Sequence, residues 1–197
     1  HRGMNSERST LETAGRRVTA AAAPAPAPKP NAAPVEPRVT MQYPLTYFTG
    51  SSGPSVEKRA LERGDIGLML TPLKPDYLSK ADKYPVIAID NGVFSETTPF
   101  NPDKFLKLRA DVAARPEVAR KVQFVVAPDV VEDAAGTLAA FPYWAEQIRA
   151  RGLPVAFAAQ DGLEDMRGQI LWDDFDTLFI GASTDWKLGK FDNAAQT

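Results

Sequence analysis

The chain has 197 residues, 44% of them hydrophobic, and its 23 Lys and Arg nearly balance 25 Asp and Glu for a net charge of -2, with a pI near 5.5. That balance argues against a strongly basic nucleic-acid coat and leaves only a local basic face for such a partner. With no cysteine, and a single histidine at position 1, this chain cannot build disulfides, thiolate metal sites, Cys nucleophiles, a Ser-His-Asp triad or a His-based metal site.

Residues 1–40 combine Ser, Arg and Glu with Ala-Pro repeats, a composition that favours extended chain and buries little surface. They read as a disordered tail or linker, and 41–197 as one folded domain. Met4 and Met41 both read as translation starts. The Ala-rich stretch 20–27 is broken by prolines and follows an acid-containing segment, unlike a signal-peptide core. No apolar run approaches the roughly 18 residues of a membrane span. A cytoplasmic protein with no membrane partner is the expectation.

From Tyr43 onward, short apolar runs alternate with helical patterns. The first strand, 45–49, runs into Gly50-Ser51-Ser52-Gly53, and a short helix over 56–63 is ended by Gly64. A strand over 66–70 ends at Thr71-Pro72. The run 86–89 is apolar throughout, as a strand buried on both faces should be, and stops abruptly at Asp90-Asn91-Gly92. Asn101-Pro102-Asp103 opens a helix. A strand over 122–127 ends at Pro128-Asp129, and 134–151 is an amphipathic helix closed by Gly152. The strand 153–159 ends at Gln160-Asp161-Gly162 and is followed by a helical segment through Met166. The last strand, 177–180, ends at Gly181-Ala182-Ser183-Thr184-Asp185.

Six strands alternating with helices predict right-handed βαβ units in a parallel sheet. The natural architecture is a TIM-type (β/α)8 barrel, truncated after about six βα units. Residues 190–197 read as the start of a helix that is cut short, which predicts a fragment of a longer protein.

In such a sheet Thr49, Thr71, Asp90, Asp129, Gln160 and the Asp185 region share the rim where parallel α/β folds carry their chemistry. Each has a plainer alternative. Asp90 and Asn91 can cap the next turn through local bonds. Asp129 can cap the helix near Val131 or Asp133. Gln160 can satisfy backbone groups at its turn. Ser51 and Ser52 can cradle a phosphate or simply form a turn. Trp186 beside Lys187 offers a stacking ring and a phosphate contact, whereas Trp144 and Trp172 read as packing residues. Asp173, Asp174 and Asp176 precede a strand, at the opposite rim, and read as a solvated loop. No metal and no cofactor is expected.

The strand ends carry a resemblance. Asp90-Asn91-Gly92-Val93-Phe94-Ser95 resembles the Asp-Ser-Gly-Gly-Phe-Gln motif of the tRNA-guanine transglycosylases, and Ala127-Pro128-Asp129 falls where that family has a second aspartate. Ala158-Ala159-Gln160-Asp161-Gly162 resembles its Val-Gln-Gly-Gly, and Phe179-Ile180-Gly181-Ala182-Ser183 its Ile-Gly-Gly segment. The string continuing through Leu188 is more similar to the DpdA branch, phage and bacterial relatives that place 7-deazaguanines into DNA. The likeness spans about residues 43 to 190, with the motifs in the same order.

The resemblance implies a (β/α)8 barrel that exchanges a purine base in DNA, or less readily in tRNA, without breaking the backbone. In that chemistry a carboxylate attacks the sugar C1′ and the incoming base displaces it. Asp90 would manage protons on the two bases. Asp129 would accept from the ring N–H and amine of guanine or a 7-deazaguanine, and Gln160 would donate to the base carbonyl. Gly181, Ala182 and Ser183 would add donors there, and Ser51, Ser52, Trp186 and Lys187 would contact a nucleic acid whose target nucleotide leaves the stack. Partner proteins or a homo-oligomer are further expectations.

Two departures stand out. The family's zinc module of three cysteines and a histidine has no counterpart in a chain without cysteine. Its nucleophilic aspartate lies after the Ile-Gly-Gly segment and has no match before Thr197; Asp185 is the only nearby acid at a strand end. A non-catalytic nucleic-acid- or partner-binding remnant of the same fold is therefore the second expectation. A retaining glycosidase with Asp90 and Asp129 as its carboxylate pair is a third, disfavoured by the scarcity of sugar-stacking aromatics.

Overall fold

The computed structural model describes residues 46–50, 53–93 and 99–189. The expectations for 1–40, for Ser51 and Ser52, for Phe94 and Ser95 of the Asp90 motif, and for 190–197 lie outside the described residues. The elements are β1 (Tyr47–Thr49), α1 (Pro54–Arg63), β2 (Ile66–Leu70), a 3-10 helix (Pro75–Lys83), β3 (Ile87–Ile89), α2 (Pro102–Ala113), α3 (Pro116–Ala119), β4 (Val122–Val126), α4 (Ala134–Arg149), β5 (Val155–Ala159), β6 (Thr177–Ile180) and α5 (Thr184–Gly189).

Helix starts follow local chemistry. Asn101 Oδ1 accepts from the Lys104 N–H at 3.0 Å, with Pro102 in the first turn. Asp133 Oδ1 accepts from the Gly136 N–H at 2.9 Å. Each bond satisfies an amide that the first helical turn leaves without a partner. Asp133, not Asp129, therefore caps α4. The helical segment expected after β5 through Met166 is present as a 3-10 turn, Leu163–Asp165, and two more follow it, Arg167–Gln169 and Trp172–Asp174. Gly162 at φ 89 opens them, and Gly168 with the acids of this stretch leaves no uninterrupted run for an α-helix.

All six strands are parallel and paired in chain order, β1-β2-β3-β4-β5-β6. The sheet is curled. Three strand spacings of about 4.8 Å would hold β1 and β4 about 14 Å apart in a flat sheet, yet the rings of Phe48 and Phe124 are 5.5 Å apart. Gly67 of β2 makes that contact geometrically feasible, because a β-carbon there would meet Phe48 Cε1 at 2.7 Å and Val86 Cγ1 at 2.6 Å. Among the described residues β1 pairs only with β2 and β6 only with β5, so the sheet is a six-stranded half-barrel with helices outside.

Alternation along the strands sorts the residues between its faces. Leu68, Leu70, Ile87, Ile89, Val125, Val155 and Phe157 join Ala60, Phe105, Leu108, Val112, Phe141, Ala145 and Ile148 in the main core. Each large side chain buried there contributes roughly 1.5–3 kcal/mol. Phe124, Val126, Ala156, Ala158 and Phe179 form a second, inner cluster. Asp90 and Gln160 continue the inner series at the carboxyl ends of β3 and β5. No helix among the described residues is long and apolar enough to cross a membrane.

Candidate acid-pair site

The end of β3 is pinned before it turns away: the Asp90 N–H donates to Leu70 O at 2.8 Å. Asp90 Oδ2 then accepts from the Gly92 N–H at 3.1 Å, and Asn91 Oδ1 accepts from the Val93 N–H at 2.9 Å. Gly92 adopts φ +83, and a β-carbon there would also crowd Pro72 at 3.3 Å, so the tight turn favours glycine twice over. The local capping bonds are thus present, but they engage only part of Asn91. Its Nδ2 donates to Ala127 O at 3.1 Å and to Asp129 Oδ1 at 2.6 Å. Asn91, only 3% exposed, joins the ends of β3 and β4.

Gln160, also 3% exposed, does the same from β5. Its Nε2 donates to Asp129 Oδ2, while its Oε1 accepts from the N–H groups of Glu132 at 3.1 Å and Ala182 at 3.2 Å. Those two donors are the non-glycine residues with positive φ among the described residues, 59° and 47°, a conformation that costs about 1 kcal/mol or more each. Thr137 Oγ1 steadies the loop that carries Glu132, accepting from the Val130 N–H at 3.0 Å and donating to Asp133 O at 2.8 Å. Asp129 is therefore held through both oxygens by amides from the two neighbouring strand ends.

The electrostatics follow from this placement. Burial pushes the Asp90 carboxyl above the ordinary aspartate value, and the negative charge of Asp129 adds to the rise, while the Gly92 and Asn91 backbone N–H groups oppose it. Burial also raises Asp129, against the hydrogen bonds from Asn91 and Gln160. Two acids of raised pKa at adjacent strand ends are suited to exchange protons with a ligand and to accept from a donor-rich one.

The other expected site residues fall differently. The donor of Gln160 that the resemblance assigns to a base carbonyl is engaged by Asp129. The Gly181 N–H donates to Ala159 O at 3.1 Å, and the Ala182 N–H to Gln160. Asp161 accepts both the N–H and the hydroxyl of Ser183, at 2.8 and 2.6 Å. Trp186 corrects its expectation: it is 5% exposed within the core, and its indole N–H donates to Glu164 at 2.6 Å. It is not available as a stacking platform. Trp172, expected to pack, is 50% exposed, whereas Trp144 does pack, edge-on to Phe100 and Phe105. Lys187 and Asp185 are exposed on α5. Asp176 Oδ2 accepts from the Val155 N–H at 2.8 Å at the start of β5. No group of three or more His, Cys, Asp or Glu among the described residues is arranged to hold a metal ion.

Asn91 and Glu132 are the site residues that sequence reasoning did not assign to the site. An amide directly after the acid at a strand end is a visible signal for Asn91; the loop amide of Glu132 leaves none. Compared with protein-family models, curated proteins and solved structures, the chain matches none.

Proposed function

We propose that the chain belongs to the DpdA-like branch of the tRNA-guanine transglycosylase superfamily, a TIM-type barrel represented here by six strands, and exchanges guanine in DNA for a 7-deazaguanine. In this reading tRNA is the less favoured substrate. The observation that carries it is the acid pair. Asp129 is held by Asn91 and Gln160 with one N–H on each oxygen, which leaves lone pairs for a ligand edge bearing two N–H donors. Asp90, of raised pKa, is suited to give a proton to a departing base and take one from its replacement. The reading assigns no nucleophile among the described residues.

One feature favours the second reading, a binding remnant of the same fold. The backbone N–H groups of Gly181, Ala182 and Ser183 and the Ser183 hydroxyl are already engaged within the protein, and Gln160 Nε2 already donates to Asp129.

The deciding experiment is incorporation of labelled guanine or 7-cyano-7-deazaguanine into duplex DNA and, separately, into tRNA, by the full chain and by Asp90→Asn. Label in DNA that disappears in the variant is the expected result. No label in either nucleic acid from a folded protein overturns base exchange in favour of the binding remnant.

A further inference from the structure

We propose that Asn91 sets the proton distribution of the acid pair, holding Asp129 as the ionised member and leaving Asp90 as the member that carries the proton. The inference concerns the protein's own titration and stands independently of base exchange.

The reasoning rests on which way two amides point. An Asn or Gln side chain can present either its oxygen or its NH2 group to a carboxyl, and its surroundings decide. Asn91 Oδ1 accepts from the Val93 N–H, and its Nδ2 also donates to Ala127 O. Reversing the amide would set N–H against N–H and oxygen against oxygen. Gln160 is fixed in the same way, since its Oε1 accepts from two backbone N–H groups at once. Both amides therefore present NH2 to Asp129, one to each oxygen. A protonated carboxyl has a hydroxyl that must donate and accepts poorly; two N–H donors on two oxygens suit the carboxylate.

Asp90 lacks such a clamp. Among the described residues it accepts from backbone N–H groups only, Gly92 at 3.1 Å and Asn91. No cationic side chain is paired with either carboxyl among the described residues. The other acids on the loops that carry Asp129 and Gln160 are Glu132 and Asp133, both exposed, Asp133 being bonded to the Gly136 N–H, and Asp161, which is bonded to Ser183. Two adjacent buried charges repel, so the first proton to bind goes to the carboxyl with fewer donors. That carboxyl is Asp90. The two left-handed residues thereby acquire a role, because their N–H groups hold Gln160 in the orientation that Asp129 requires.

The test is a carboxyl 13C NMR titration of the full chain labelled at aspartate Cγ, from about pH 3 to about pH 8. Asp90→Asn and Asp129→Asn identify the two signals. The expected result is a lower midpoint for Asp129 than for Asp90. In Asn91→Ser, whose hydroxyl can still accept from Val93 N–H but cannot reach Asp129, the Asp129 midpoint rises by about one pH unit or more. An Asp129 midpoint at or above that of Asp90 in the native chain overturns the proposal. So does a folded Asn91→Ser that keeps both native midpoints. Should Asn91→Ser lose cooperative unfolding, the Asn91 side-chain 15N resonance of the native chain decides instead. It is expected to move with the Asp129 midpoint, and movement with Asp90 alone, or no movement, overturns the assignment.

Discussion

A β-carbon on Gly181 would lie 2.5 Å from Gln160 Nε2 and 3.1 Å from Ala159 O. The missing side chain at the end of β6 is therefore what lets the Gln160 amide lie beside β6 and reach Asp129. In Gly181→Ala either the strand end shifts or Gln160 leaves Asp129. The expected cost is about 1–3 kcal/mol, as for other overpacked sites, read from urea unfolding. If base exchange is the function, activity falls as well. An alanine variant of native stability would mean that Gln160 is free to move.

The pH dependence of stability isolates Asp90. Burial and the Asp129 charge hold its carboxyl above the ordinary value in the folded state, so the folded chain binds this proton more tightly than the unfolded chain. Its contribution is full below the ordinary aspartate value and is lost as pH rises from there to the raised folded value. Asp90→Asn removes that loss. The variant should match the native chain at about pH 3 and be about 1 kcal/mol more stable at neutral pH. Thermal unfolding of both proteins across this range checks the sign; a variant less stable at neutral pH contradicts it.

Gly67 tests the inner face without touching the acids. Alanine there would press on Phe48 and Val86 and disturb the Phe48–Phe124 contact across the curled sheet. A loss of about 1–3 kcal/mol is expected, together with a changed near-UV circular dichroism spectrum. The midpoints of Asp90 and Asp129 should stay in place. If Gly67→Ala leaves stability unchanged, the sheet is less tightly curled than Phe48 and Phe124 indicate.

Trp186 separates packing from recognition. Trp186→Phe keeps a buried ring but removes the indole N–H that reaches Glu164, at an expected cost of about 1–2 kcal/mol. If the chain binds DNA as proposed, fluorescence anisotropy with a labelled duplex should show the same affinity for the variant and the native chain at constant salt. A folded variant with weaker DNA binding would return Trp186 to the nucleic-acid interface.

Much of the fold was legible because strand and helix patterns are local. The run 66–70 and the run 177–180 are strands over the expected residues, and Asn101-Pro102 starts a helix where its capping chemistry says it should. The stretch after Gln160 is helical up to Met166, as expected, but as a short 3-10 turn, Leu163–Asp165, since Gly162 and Gly168 on either side leave no length for a regular α-helix. The 3-10 helix Pro75–Lys83 carried no periodicity strong enough to mark it.

By itself the sequence determined that Asp90, Asp129 and Gln160 sit at the carboxyl ends of successive buried strands, because parallel pairing in chain order brings those ends to one rim. Tertiary structure alone decided what they do there. Asn91 is 38 residues from Asp129 and Gln160 is 31, and which oxygen meets which N–H depends on strand register and on two left-handed loop residues. The same holds for Trp186 and Trp172, whose exposure depends on what the rest of the chain lays over them. A one-dimensional pattern carries the period of a strand or helix but not the direction of an amide dipole or the burial of a ring.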